Sequence, residues 1–434
     1  MRPPACRTPT LCARPTSPWP AASASTPRSC RPRCRKISSR SDRQPLSEPG
    51  PPPAPVRPAD PVLLVGAGLV GLACAWQLQR RGHPVLLVDP AIDGPPAVDA
   101  GSWAALGVLM AQVFHRSSGR GWRLRQRSHA LWPQWLAALE AEGHGVARRA
   151  GLLLLASSAD ELARQQRLAA ERQRRGVPLD LWSAERLQGL RPQLPAAALG
   201  GLHSPSDGQL DPGQAMAALL ASARAGGLNV LSEAACRLER TGHGAGGGWR
   251  LIGSTGSRVE APWLVLCAGV ATAALLERLG HSLPMEPVLG QALELELEDG
   301  LEEGLDSLPA WSRPPGGWPG AVLWRGINLV PRPDLPGGRR CWLGATLEPG
   351  HLADPAALRD LRGWAGADLG WLSRATVIRA WQGQRCRPCR QPAPVLEVLE
   401  PGLVVASGHY RNGVLLAPAT AEWVAERIAA GRGA

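Results

Sequence analysis

The chain has 434 residues, with 48 Lys+Arg against 36 Asp+Glu, 43 Pro, 50 Gly and 10 Cys, and these counts are unevenly spread. Residues 1–60 hold 11 basic and 3 acidic residues and so carry +8 of the +12 net charge, leaving +4 for the other 374. A basic balance ordinarily points to nucleic acid, but the excess belongs to one terminal segment and the remainder is only mildly basic, so that argument loses most of its force and no nucleic-acid partner is expected for the globular part.

The first 60 residues also hold 15 prolines and 4 cysteines. Pro, Arg and Ser at this density cannot bury enough apolar surface to offset chain ordering, which predicts a disordered basic extension over 1–60. Its composition fits an organellar transit peptide, a nonnative upstream extension or a loose nucleic-acid-binding arm. The first 30 residues lack an apolar segment followed by a small-residue cleavage site, which argues against secretion. Without secretion, ten irregularly spaced cysteines make a poor disulfide framework. The longest charge-free apolar stretches are too short and too rich in Gly and Ala to span a bilayer. The expected setting is cytoplasmic, with no membrane partner.

Residues 62–89 read VLLVGAGLVGLACAWQLQRRGHPVLLVD. An apolar strand enters Gly66, Gly68 and Gly71, a helix runs to Arg81, Gly82 turns the chain, and a second strand ends at Asp89. Alone, GxGxxG is weak; inside a strand, helix, strand unit with an acidic residue after the second strand it predicts a dinucleotide site. Gly66 permits the tight turn, Gly68 lets a pyrophosphate approach, and Gly71 lets helix and strand pack. Asp89 would accept hydrogen bonds from a ribose, favouring FAD or NAD over a 2′-phosphate.

Farther along, Ser158 and Glu161 form a capping box for a helix over 160–174. Asp211 and Pro212 start an apolar helix over 214–225. Residues 263–267 form a buried strand ending at Ala268-Gly269. Between 288 and 346 the pattern alternates, giving strands at 292–297, 321–330 and 341–346. Glu294 and its neighbours, separated by leucines with period two, read as the wet face of a strand and not as a metal site. At the C-terminus, 403–407, Gly408 and a helix from Gly413 repeat the opening strand, glycine turn, helix logic. A chain that leaves one sheet and re-enters it makes an α/β protein with discontinuous domains: a Rossmann-like (GR2-type) FAD-binding domain over 61–150, 203–280 and 395–430, and an antiparallel-sheet substrate domain over 151–202 and 281–394.

The run GHYRNGVLLAPATAEWV at 408–424 resembles the flavin-proximal signature of glycine oxidases in the D-amino-acid oxidase family. The resemblance extends in order from about 61 to 430, through GSWAALGV at 101–108, 201–212, LCAG at 266–269, PVLGQ at 287–291, VPR at 330–332, GAT at 344–346 and Trp381-x-Gly383-x-Arg385. It is nearest in look to cyanobacterial glycine oxidases of thiamine biosynthesis, and this likeness favours a cytoplasmic protein whose first 60 residues are an extension or arm.

The resemblance implies FAD, with Leu69, Val70, Asp89 and Pro90 on its ADP half and Ala235 at the adenine. It places Gly101, Ser102, Leu106, Gly107 and Val108 along the flavin, and His409, Tyr410, Arg411, Asn412, Gly413, Val414 and Leu415 around the isoalloxazine edge. Arg385 and Arg411 fall where a substrate carboxylate is held. Two guanidiniums on one carboxylate give rigid orientation, each charge-assisted bond being worth about 1.5–3 kcal/mol. No acid or base is required if the amine binds neutral, so no catalytic side chain is assigned. The family has Pro after the carboxylate-binding Arg, whereas this chain reads Gln384-Arg385-Cys386-Arg387-Pro388, so Arg387 stands as an alternative ligand.

Sarcosine oxidases attach flavin through a Cys that corresponds to Gly383, so noncovalent FAD is expected. Cys386-x-x-Cys389 lacks two further ligands for zinc. The implied activity is oxidation of glycine or another small amino acid to the imino acid, with molecular oxygen reduced to hydrogen peroxide and use in thiamine thiazole synthesis. The alternatives are a D-amino-acid oxidase or dehydrogenase, a sarcosine-type amine oxidase, and a flavin protein without catalysis. Association into a homo-oligomer is left open.

Overall fold

The computed structural model describes residues 60–431 except 96, 98, 243–246 and 299–316. Residues 1–59 of the basic extension, with Cys30 and Cys34, therefore lie outside the described residues.

A six-stranded sheet runs in the order Val395–Glu400, Leu403–Ser407, Trp263–Leu266, Val62–Val65, Val85–Val88, Asn229–Leu231. Five strands are parallel and only Val395–Glu400 is antiparallel to its neighbour. The central strands are apolar at every position because helices cover both faces of a parallel sheet: Val62, Leu63, Leu64 and Val65 are all buried. The helix Leu69–Arg80 follows the first strand and buries Leu72, Ala73, Cys74, Ala75, Trp76 and Leu78. Its run of small residues lets the C-terminal helix Gly413–Ala430 and the helix Pro212–Ala225 pack beside it in one core.

A second sheet has ten strands. Its centre is the long pair Met285–Glu296 and Thr376–Pro388, flanked by Arg340–Gly344, Ile327–Arg332, Ala321–Trp324, Arg148–Ala156 and Gly200–Leu210. All its pairings are antiparallel except that of Ala321–Trp324 with Arg148–Ala156. A smaller three-stranded sheet begins at Ala235–Thr241. Two sheets fed alternately by the chain give the discontinuous α/β architecture expected from the sequence.

Local readings hold at the caps. Ser158 accepts from the Glu161 amide and starts Ala159–Gln173, though the Glu161 carboxylate returns to the amide and hydroxyl of Ser157 and not to Ser158. Asp211 caps Pro212–Ala225 through the Gln214 amide at 2.8 Å.

Three readings change. The strand expected over 321–330 is a hairpin, because Arg325 and Gly326 both take positive φ (47° and 84°), as a two-residue primed turn requires. The strand expected from 292 begins at Met285. Glu294 is not on a wet face: it is 6% exposed and gathers Arg340, Arg379 and the indole of Trp342. Period-two alternation marks which residues share a face, and here both faces of the strand are covered.

Candidate functional site

The first glycine turn is set by close approach. Gly66 sits at φ +104°, open to glycine at little cost, and a Cβ on Gly71 would lie 1.8 Å from the Gly66 carbonyl oxygen. The helix Leu69–Arg80 that follows has no side-chain cap from Gly68. Instead the Ser102 hydroxyl accepts from the Leu69 amide at 3.0 Å, and this brings the 101–108 loop onto the helix N-terminus. Asp89 joins the two turns at the sheet's C-terminal edge: its Oδ2 accepts from the Ala67 amide (2.7 Å) and its Oδ1 from the Ala91 amide (2.8 Å). Each carboxylate oxygen retains a lone pair for a hydroxyl. Val70 is half-buried, Pro90 is exposed beyond the turn, and Ala235 opens its strand half-buried next to the core under Val65 and Val88.

The 99–104 segment then lies on the strand Thr376–Pro388. The Gln384 amide donates to the Asp99 carbonyl at 2.9 Å and the Trp381 indole donates to the Ala104 carbonyl at 3.1 Å. A Cβ on Gly101 would come within 2.4 Å of the Gln384 carbonyl, and one on Gly383 within 2.3 Å of the Ala104 methyl. The spacing Trp381-x-Gly383-x-Arg385 puts all three residues on one strand face. Trp381 and Gly383 receive the loop, and Arg385 is next along. Leu106 leaves this loop to enter the core of the second sheet with Ala292, Val330 and Trp342, the Gly107 carbonyl accepts from the Leu210 amide, and Val108 opens a short strand against Gln209.

Arg385 is half-buried. Its Nη1 donates to the carbonyls of Leu289 (3.2 Å) and Thr346 (3.1 Å), and burial followed by the charge of nearby Arg411 presses its pKa down to about 10. Arg411 is exposed at the turn between Leu403–Ser407 and Gly413–Ala430. Among the described residues neither arginine has a carboxylate within ion-pair distance. Arginines on neighbouring strands do: Arg332 pairs with Asp211 and Asp334, Arg340 and Arg379 with Glu294, and Arg387 with Glu286. Arg387, the alternative carboxylate ligand, is thus already engaged and exposed, with its guanidinium 6.0 Å from the Tyr410 ring centre.

Around Arg411 the turn is ordered by its own backbone. Tyr410 takes φ +53°, its amide donates to the Cys386 carbonyl at 3.1 Å, and the Asn412 amide donates to the His409 carbonyl at 3.0 Å. His409 is buried with Nε2 2.9 Å from the Thr420 hydroxyl, and burial lowers its pKa to about 3. It is therefore neutral and turned away from proton exchange. Asn412 and Gly413 are half-buried, and Val414 and Leu415 are buried in the first turn of the helix.

A family model described as FAD dependent oxidoreductase (DAO) matches residues 61–427. The chain belongs to the DAO family of FAD-dependent oxidoreductases. It is 28% identical over 385 residues to glycine oxidase of Geobacillus kaustophilus (strain HTA426), covering 85% of this chain and 92% of that protein. It is 30% identical over 378 residues to glycine oxidase of Pseudomonas putida (strain KT2440), covering 83% and 92%. The crystal structure of glycine oxidase from Geobacillus kaustophilus superposes with a TM-score of 0.73 at 26% identity, over 86% of this chain and 95% of that one.

The residues of this oxidoreductase fit its cofactor. At Gly68 a Cβ would meet the Ser102 hydroxyl at 3.0 Å, tight enough that the hydroxyl would have to give, so the helix start and the loop form a close cradle. Beside the 106–108 segment, Gln209 Oε1 and Arg332 Nη1 are buried without partners among the described residues, as expected where a polar ligand edge belongs. Neither was given a site role from the sequence, where Arg332 entered only as the last residue of the VPR run. Both follow from pairing with segments that were: Gln209 faces Val108, and Arg332 stacks on Trp342 at 3.7 Å. Among the described residues no group of three or more His, Cys, Asp or Glu is placed to hold a metal, and no helix is long and apolar enough to cross a membrane.

Proposed function

We propose that the chain oxidises glycine or another small amino acid, with the substrate carboxylate held between Arg385 and Arg411. The observation that carries this reading is a pair of guanidiniums, near enough for the charge of Arg411 to act on Arg385, that lack ion-pair carboxylates among the described residues while other arginines around them are paired. An arriving carboxylate relieves their mutual repulsion and supplies the counter-charge that burial of Arg385 demands. The names of the two glycine oxidase relatives support the same substrate class.

Gly66, Gly68, Leu69, Val70, Gly71, Asp89 and Pro90 would hold the ADP half of FAD, with Ala235 at the adenine. Gly101, Ser102, Leu106, Gly107 and Val108 would lie along the ring system, and residues 409–415 around its edge. Bound FAD supplies the acceptor for the hydride leaving the substrate α-carbon. The chain's own part is positional: the two arginines fix the carboxylate, and with it the direction of the α-carbon. The helix Gly413–Ala430 turns its positive end toward the same turn. His409, neutral and bound to Thr420, is no base, which suits an amine that binds already deprotonated. Overall, glycine, water and oxygen give glyoxylate, ammonia and hydrogen peroxide. Molecular oxygen is thus the proposed acceptor, in a cytoplasmic enzyme whose imine serves thiamine thiazole synthesis.

Anaerobic addition of glycine, D-alanine or sarcosine to the yellow protein tests the reading. Bleaching with glycine at the highest kcat/KM is expected, and no bleaching with any of the three would sink it. In Arg411→Ala, loss of one charge-assisted hydrogen bond at about 1.5–3 kcal/mol predicts a KM for glycine raised by roughly tenfold or more, with FAD retained. An unchanged KM would remove Arg411 from the site.

A further inference from the structure

The long helix Gly119–Ala141 reaches the start of the C-terminal helix through one stripe of side chains, Arg125, Ser128 and Trp132. Pro418, inside that helix, has no amide to give the Val414 carbonyl. The Trp132 indole donates to the Val414 and Leu415 carbonyls instead, each at 3.1 Å, and the Ala419 amide donates to the Ser128 hydroxyl at 3.1 Å. The third member of the stripe acts at the helix start. Arg125, 6% exposed, donates through Nη2 to the Asn412 side-chain oxygen at 2.7 Å and through Nη1 to the Met110 carbonyl at 2.7 Å. Its guanidinium stacks on Phe114 at 3.9 Å.

One buried guanidinium therefore joins the segment that follows the 101–108 loop to the turn that opens the C-terminal helix. Asn412 occupies the N-cap position and is a residue type that normally folds back onto its own helix amides. Here it makes no such bond, and its backbone (φ −121°, ψ 12°) lies outside the extended region from which a cap side chain reaches them. The Met110 end is fixed as well, because the amides of Ala111, Gln112 and Val113 all donate to the buried carboxylate of Asp207.

We propose that Arg125 is a positioning residue for the flavin: by holding the Asn412 side chain it keeps the first-turn amides of Gly413–Ala430 uncapped and open to the electron-accepting edge of the ring. This rests on the reading that residues 409–415 meet the flavin. Replacing Arg125 frees Asn412 to cap its own helix and compete for those amides, so negative charge on the reduced ring is less well met.

The test uses the FAD-loaded enzyme and reads the midpoint potential of bound FAD by reductive titration against reference dyes, together with the dissociation constant of sulfite. In Arg125→Met the potential is expected to fall and sulfite to bind about tenfold more weakly, with FAD content retained, a factor of ten being about 1.4 kcal/mol. Glycine KM should change far less than the rate of anaerobic flavin reduction. In Arg125→Met/Asn412→Gly, where no side chain remains to cap the helix, both readouts should return toward the parent. A double variant as impaired as the single one would mean that Arg125 acts through its charge alone, and would overturn the proposal. Arg125→Gln, which can reach one partner and not both, serves if Met does not fold, with an intermediate shift expected and no shift overturning the idea. Asn412→Asp separates the two readings. It puts a negative charge at the helix start and must lower the potential if that turn meets the flavin. A lowered potential there with Arg125→Met unchanged rejects Arg125 alone, whereas no change in either rejects the placement of the turn as well.

Discussion

His409 sits within the flavin-proximal signature, yet its surroundings make it a structural group. Burial lowers its pKa from 6.5 to about 3, with Arg120 adding a smaller push in the same direction. In the unfolded chain a histidine takes up its proton near 6.5, so between pH 6.5 and 3 the unfolded state binds more protons. The stability carried by neutral His409 is thus full above pH 6.5 and drains as pH falls toward 3. His409→Gln keeps a group able to meet Thr420 without titrating. Melting temperatures from pH 7.5 to 4.5 should therefore fall less steeply in the variant than in the parent, and parallel slopes would show that His409 contributes nothing to acid sensitivity. Residues of this kind are legible in sequence only as members of a motif. That His409 is bound to Thr420, or that Glu294 is buried among two arginines and an indole, depends on partners many positions away. Arg385 and Arg411 were legible by position, but their lack of carboxylate partners was not.

Elements were readable wherever one local rule decided them. The opening strand, glycine turn and helix, the caps at Ser158 and Asp211, and the final strand and helix follow from apolar runs, turn residues and capping oxygens. The Arg325-Gly326 hairpin was missed because its first turn residue is not a usual positive-φ type. The helix Gly119–Ala141 was missed too: its arginines mask a buried stripe of Leu131, Trp132, Trp135, Leu136 and Leu139. That helix also mends the break that Pro418 makes in the C-terminal one. Ser128→Ala leaves the buried Ala419 amide without an acceptor, at a cost of about 1–3 kcal/mol. Chemical denaturation should register that loss in the midpoint with an unchanged m-value, and the C-terminal helix should show faster amide exchange around Ala419. A stability equal to the parent's would mean that another acceptor, such as the Leu415 carbonyl, takes the amide.

At the scale of the molecule, the two sheets are woven from alternating stretches of chain, and the proposed site lies where loops from one meet strands of the other. The Ser102 hydroxyl on the first helix and the Gly101 and Gly383 contact on the second sheet tie them within a few residues. Such a junction needs residues far apart in sequence, and for that reason the sequence indicated its members without indicating their contacts. The charge distribution makes a separate claim. Residues 1–60 carry +8 of the +12 net charge, while the glycine turns, Asp89, Arg385 and Arg411 all lie beyond them. A chain beginning at Asp60 should therefore keep its FAD content and its kcat and KM for glycine, and should leave a cation exchanger at much lower salt than the full chain. Because association through clustered surface charge weakens as ionic strength rises, the difference in retention should shrink in added salt while the kinetic constants stay matched. Loss of flavin or of turnover on removing the segment would instead assign it a part in folding or in the site.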